Sequence, residues 1–321
     1  MKTFSIMFYI VALSTATIAI HLNYLFLQDP EYLNKVQMKR HLNIMEGVAA
    51  APYQYRILSE LIVEAGLIFC KKLLKFKFES IYVFIFLRSI YVYISLILIY
   101  YYYHLLGLSK SYIIVGIGFV ISAMSWAFYN SDLSLNIYLD LIFYTLSMIF
   151  IISRYDYLII ITSLLGVLNR ETALLIPFLF LIVRLKERGV TSVFSFNFIT
   201  LLPIFSSILS FMLVRYIYGE RSMATPGGVN QGFDLFFYNL TQPKSWVYLL
   251  LFLNVVPILI IIKSQKYKSM PTTLRVTSQV MLPIWMVVHV FFGVVAETRL
   301  FLVPFSIVLV PIAMLSIQKD N

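Results

Sequence analysis

Apolar residues fill this chain in long runs rather than at the short periods of half-buried elements. Phe4–Phe26, Ile81–Leu106, Ile113–Phe128, Leu135–Ile152, Phe198–Ile217, Trp246–Ile262, Val280–Val295 and Leu300–Ile317 each come close to, or exceed, the ~17 residues that a membrane-crossing helix needs. Two stretches break this pattern. Leu158–Val183 is interrupted by Asn169-Arg170-Glu171-Thr172, and each half is too short to span alone, so two short helices joined by a polar turn are expected. In Ile57–Leu74, residues Glu60, Glu64, Lys71 and Lys75 fall within a narrow arc at about 100° per residue, the pattern of an amphipathic helix lying in the membrane interface.

Composition sharpens the class. Hydrophobic residues make up 60% of the 321 and charged ones 12%, about half the ~25% of a soluble domain, so too few charges exist to solvate a globular surface. The single cysteine, Cys70, cannot close an internal disulfide. The expected fold is all-α: a single transmembrane domain over residues 1–321, with about ten spans and one interfacial helix. The net charge of +10 is read as membrane orientation and anionic-lipid contact, not nucleic-acid binding. Phe4–Phe26 follows Lys2 without a convincing cleavage site and is expected to stay as a signal-anchor.

The loops admit two orders. In the preferred one, Ile57–Leu74 lies flat on the outer face, which places Asn130–Asp132, Asn169–Glu171, Glu220–Lys244 and Glu297–Arg299 outside. Ser109-Lys110, Arg154, Arg184–Arg188, Lys263–Arg275 and both termini are then cytoplasmic. The rival order makes Ile57–Leu73 a short span and Leu158–Val183 a single one. The rival buries Arg170 and Glu171 at mid-membrane, which is expensive.

In the preferred order the candidate chemistry gathers on one face. Asp29-Pro30-Glu31 follows the first span, Pro52-Tyr53-Gln54-Tyr55-Arg56 precedes the interfacial helix, and Asp132 and Asp140 flank the start of another helix. Asn169-Arg170-Glu171 occupies a turn, and Glu297-Thr298-Arg299 lies between the last two spans. Structural roles compete with each. Asp29-Pro30 is a fit helix stop, Asn169 a fit N-cap with Glu171 in the first turn, and Arg56 and Arg299 fit interface anchors. Tyr101–Tyr103 reads as an aromatic belt at the membrane surface. His21, His104 and His289 lack metal-ligand spacing. Asn239-Leu240-Thr241 is a formal glycosylation sequon.

This layout resembles the GT-C superfamily, membrane glycosyltransferases that use polyprenyl-phosphate-linked sugars. The resemblance rests on an acid after the first span, an amphipathic helix in the first outer loop, and paired short helices with a basic turn. Tyr138-Leu139-Asp140 through Leu168–Ala173 to Pro177 is similar to a segment of bacterial members, as are Pro52–Arg56 and Glu297–Arg299. It covers residues 1–190 as a catalytic core plus the last loop, with 191–321 as C-terminal helices. The first loop departs from an adjacent acid pair by its intervening Pro30.

The resemblance implies an enzyme of the bacterial inner (plasma) membrane that moves a sugar from a polyprenyl-phosphate donor to a glycan or lipid acceptor. Asp29 would be the general base, with Glu31 second. Arg56, Arg170 and Arg299 would bind the phosphate, Glu171 and Glu297 would orient the guanidiniums, and Tyr53, Tyr55, Asp132 and Asp140 would complete the substrate site. An apolar groove would hold the polyprenyl tail. A divalent cation is compatible with the resemblance without being required, because families with this fold exist of both kinds. Three other classes stay open: a polymerase or ligase of lipid-linked repeats, a lipid-linked-sugar flippase or transporter, and a non-catalytic scaffold.

Overall fold

The computed structural model describes residues 30–74, 80–129, 135–188 and 198–318. Regular structure there is helical, and the one strand-like pairing among the described residues is a bridge between Ala51 and Met223. The helices are α1 (Pro30–Met45), α2 (Ile57–Phe69), α3 (Ser80–Leu105), α4 (Lys110–Tyr129), α5 (Asn136–Ser153), α6 (Leu158–Asn169), α7 (Leu175–Arg188), α8 (Phe198–Tyr218), α9 (Phe233–Thr241), α10 (Pro243–Leu253), α11 (Val255–Lys263), α12 (Thr272–Phe292) and α13 (Thr298–Ile317). Six of them, α3, α4, α5, α8, α12 and α13, are long and apolar enough to cross a bilayer. The chain is a helical membrane protein.

The described residues hold fewer straight spans than the ten expected, for physical reasons. Phe4–Phe26 lies outside them. The run Trp246–Ile262 breaks into α10 and α11, bent by 74° at Asn254. Asn254 takes a positive φ of 49°, which Asn tolerates better than most residues, and its side chain accepts from Val256 N to cap α11. Pro257 follows in the first turn of α11, where a missing N–H costs nothing.

Leu158–Val183 is a hairpin of α6 and α7, so the single straight span of the rival order is not what forms. At the turn, a Cβ on Gly166 would stand 2.9 Å from Ala173 Cβ, so the two segments close only over a glycine. At the far end Arg184 of α7 returns to the start of α6. It donates to both carboxylate oxygens of Asp156, to Glu187, and to Ile151 O at the end of α5. A buried guanidinium with that many acceptors is a fixed clasp.

These contacts sort the loops into two ends. The hairpin turn, the segments before α2 and α5, the α8–α9 connection and the α12–α13 loop share one end. The other end holds Gly107–Ser109, Arg154–Asp156, Lys266 and Gln318. Gln318 caps Ser109 N and Gly107 O, and Lys266 donates to Gln318 O.

Helix α13 shows how sequence sets packing. Pro304 and Pro311 lack N–H groups, so Leu300 O and Ile307 O lose their ordinary i+4 donors. Trp285 Nε1 donates to Leu300 O at 2.8 Å, and Tyr102 Oη donates to Ile307 O at 2.9 Å. Tyr103 Oη supplies Ser306 O in the wide turn Phe305–Leu309. The Tyr101–Tyr103 run therefore splits. Tyr101 is exposed, whereas Tyr102 and Tyr103 are buried core donors and not belt residues.

The polar stripe on α2 also makes an internal contact. Glu60 is buried, Glu64 is partly exposed, and both bond His41 of α1, at 2.7 and 3.0 Å. Each ring nitrogen thus meets a carboxylate, which only accepts, so the imidazolium with two donors fits best. Burial opposes that charge, but the two carboxylates outweigh it and hold His41 above 6.5. The stabilisation is complete below the unfolded pKa near 6.5 and is lost as pH rises through the higher folded value. The Tm advantage of the wild type over His41→Gln should therefore be largest at mildly acid pH and shrink above neutrality. A difference that stays constant from about pH 5.5 to 9 would remove this account.

Candidate functional site

The shared end encloses a cavity of about 610 Å³. Its wall joins two chemistries. One part carries Arg40, Arg56, Arg170 and Arg299 with Glu171, Glu297 and His289. The other is a trough between α7 and α12, built from Leu175, Phe178 and Ile182 on one side and Val280, Ile284 and Val288 on the other. These spacings, i, i+3, i+7 and i, i+4, i+8, put each trio on a single helix face. Among the described residues four guanidiniums and two carboxylates line this part, and guanidiniums are the side chains that bind phosphate and carboxylate oxygens by paired N–H groups, so the polar part suits an anion.

Arg170 sits at the tip of the hairpin. α6 ends because Arg170 turns extended, with φ −164° and ψ 141°. Its buried guanidinium donates from Nη1 to Asp140 Oδ2 at 3.3 Å and from Nη2 to His289 Nε2 at 3.4 Å. Asp140, one turn into α5, also accepts from Asn169 Nδ2 at 3.1 Å and Thr172 Oγ1 at 3.1 Å. His289 Nδ1 faces Trp285 O at 2.8 Å, and the ring stacks on the Trp285 indole at 5.0 Å. A carbonyl requires that Nδ1 donate, and an arginine requires that Nε2 accept, so His289 is the neutral Nδ1-H tautomer. Tyr144, one turn beyond Asp140, packs edge-on to Trp285 and donates to Thr172 O at 2.6 Å. The proline-freed carbonyl of Leu300 thus positions Trp285, Trp285 positions His289, and His289 helps to position Arg170.

The other arginines are held by rings and acids. Arg40 and Arg56 both lie over Tyr53, at 5.0 and 5.3 Å from its centroid. Arg56 Nε donates to Glu171 Oε2 at 3.3 Å, and Arg215 approaches Glu171 Oε1 at 3.7 Å. Arg299 donates from Nη2 and Nε to one oxygen of Glu297, Oε2, at 2.8 and 3.3 Å.

The structure therefore brings Tyr53, Arg56, Arg170, Glu171, Glu297 and Arg299 to one cavity wall. It does not bring the rest. Asp140 is buried behind the wall with its oxygens engaged, so it supports Arg170 and does not line the cavity. Tyr55 lies off the cavity, stacked on Arg215 and donating to Gly219 O. Asp29 and Asp132 lie outside the described residues, and Glu31 is placed only as part of the first turn of α1.

Three local expectations change. Asn169 is the last residue of α6 and not an N-cap, its amide donating to Asn136 O and Asp140. Arg170 is held by Asp140 and His289, while Glu171 serves Arg56 and Arg215. Asn239 is buried, donates to Val290 O and Gly293 O, and accepts from Val295 N, so the sequon is a structural brace of the α12–α13 loop.

Sequence reasoning missed Arg40, Trp285 and His289. For the last two a signal existed: an aromatic and a histidine four residues apart in an otherwise apolar helix share one face. Among the described residues no three His, Cys, Asp or Glu side chains gather as metal ligands. No family model, curated protein or solved structure matches the chain.

Proposed function

We propose that this chain is a membrane glycosyltransferase that takes its sugar from a polyprenyl-phosphate donor and passes it to a glycan or lipid acceptor. The supporting observation is the two-part cavity, in which arginines adjoin an apolar trough. A soluble phosphate would need only the first part and a free lipid only the second. A lipid-linked phosphate uses both, with the charged group against Arg40, Arg56, Arg170 and Arg299 and the first isoprene units between α7 and α12.

In this reading the acceptor hydroxyl attacks C1 of the sugar, a carboxylate takes its proton, and the arginines stabilise charge that develops on the leaving phosphate. In this reading the cavity end faces the extracytoplasmic side, which the lysines and arginine near the other end, Lys110, Arg154, Lys263, Lys266 and Lys268, support. That orientation puts the C-terminus in the cytoplasm of a bacterial-type plasma membrane.

The test is turnover by the purified protein with a panel of polyprenyl-phosphate hexoses and pentoses, scored for release of polyprenyl phosphate. Release with at least one donor is expected. No release with any donor, together with headgroup movement across vesicle membranes, would replace this reading with a flippase.

A further inference from the structure

We propose that Glu297 is the carboxylate that takes the proton from the acceptor hydroxyl, a role that rests on the transferase reading above. Glu297 lines the cavity between α12 and α13. Its backbone is pinned on both sides, by Glu297 N donating to Val294 O at 2.8 Å and Leu300 N donating to Glu297 O at 2.9 Å. Its side chain is pinned at one oxygen. Both bonds from Arg299 reach Oε2, and among the described residues no donor reaches Oε1. The carboxylate is thus oriented by one oxygen and open at the other, the arrangement a proton acceptor needs.

The other cavity carboxylate is less suited. Glu171 is held by Arg56 at Oε2, and its Oε1 is buried without a hydrogen-bond donor but has the Arg215 guanidinium 3.7 Å away, so a cation stands where an acceptor hydroxyl would approach. Burial raises Glu297 above the ordinary carboxylate range against the pull of Arg170, Arg56 and Arg40. Those groups face it from the hairpin turn, the segment before α2, and α1. Arg299 adjoins it on α13, and neutral His289 lines the same wall from α12. A raised carboxylate is a stronger base when ionised, and its proton leaves closer to neutral pH.

The step balances without a further reactant. The acceptor oxygen forms its bond to C1 as its proton passes to Glu297 Oε1. The bond between C1 and the phosphate oxygen breaks, and that electron pair leaves on the polyprenyl phosphate. The arginines already bind that group, so the leaving charge develops where positive charge is fixed.

The experiment uses the full-length purified chain and compares wild type, Glu297→Gln and Asp29→Asn. Gln keeps an acceptor oxygen for Arg299 and loses the basicity. Turnover of the active polyprenyl-phosphate sugar should fall by on the order of 10²–10⁴ in kcat for Glu297→Gln. Its affinity for polyprenyl monophosphate, measured separately, should be unchanged or tighter, because a negative charge near the anion has gone. The wild-type kcat should fall on the acid side with an apparent pKa above the usual glutamate range.

Glu297→Gln with kcat within about threefold of wild type overturns the assignment. So does a loss confined to polyprenyl monophosphate binding, which would mean that Glu297 only orients Arg299. An inactive Asp29→Asn beside an active Glu297→Gln moves the base to the first loop. Wild type that is inactive with every donor removes the transferase reading itself, and the assignment with it.

Discussion

Asp140→Ala should be the most damaging single substitution in this fold. The change strips the buried Arg170 guanidinium of its carboxylate and leaves the Asn169 amide and the Thr172 hydroxyl short of an acceptor. Breaking a buried pair from one side costs about 3–5 kcal/mol, because the remaining charge stays buried and uncompensated. Asp140→Asn should also fail to restore the site. Its amide must turn one N–H₂ face toward donors that already point inward, so one acceptor becomes a donor.

The pair substitution Asp140→Ala with Arg170→Ala should recover part of the loss, since no lone charge remains. The measurement is unfolding of the detergent-solubilised chain, read as Tm, with turnover in parallel. If Asp140→Ala melts with the wild type, the clasp at the hairpin turn is not what the contacts describe. A double variant no more stable than Asp140→Ala alone would count equally against it.

What the sequence made legible follows from what kind of signal each feature leaves. Long apolar runs such as Leu135–Ile152 read directly as spans, because a bilayer imposes a length. The hairpin over Leu158–Val183 was legible for the same reason: halves of that length cannot each cross. The approach of Arg56, Arg170 and Arg299 to one cavity follows once the loops are sorted to two ends, since few places exist for polar groups at one end of a bundle.

Pairing within that end was not legible. Glu171 is adjacent to Arg170 in sequence, yet α6 terminates there, the backbone turns extended, and the two side chains part toward different partners. The bend at Asn254 was hidden inside an apolar run, where one polar residue and a nearby proline decide the geometry. His41 shows the converse. Glu60 and Glu64 form a stripe that fits a membrane surface by period alone, and only the approach of α1 shows that both acids also bond the buried ring of His41.

Arg170 and Arg299 should bind the same phosphate although 129 positions separate them (299 − 170). Both line the one cavity, and each is held in place by its own partners, Arg170 by Asp140 and His289 and Arg299 by Glu297. Held guanidiniums keep their fork orientation, so little ordering cost remains when a phosphate binds against them. Replacing either by Lys keeps the charge but loses the fork. Affinity for polyprenyl monophosphate should then fall roughly ten- to a hundredfold, the scale of one hydrogen bond to a charged group. Arg299→Lys is the cleaner of the two, because Arg170→Lys also disturbs Asp140 and His289. If one phosphate is shared, the double variant should lose less than the product of the single losses, since the second removal acts on a site already weakened. Losses that multiply without coupling would mean two independent anion sites. A liganded structure with the phosphate against one guanidinium and the other more than roughly 15 Å away would end the shared-phosphate reading, because neither side chain could then reach a common group.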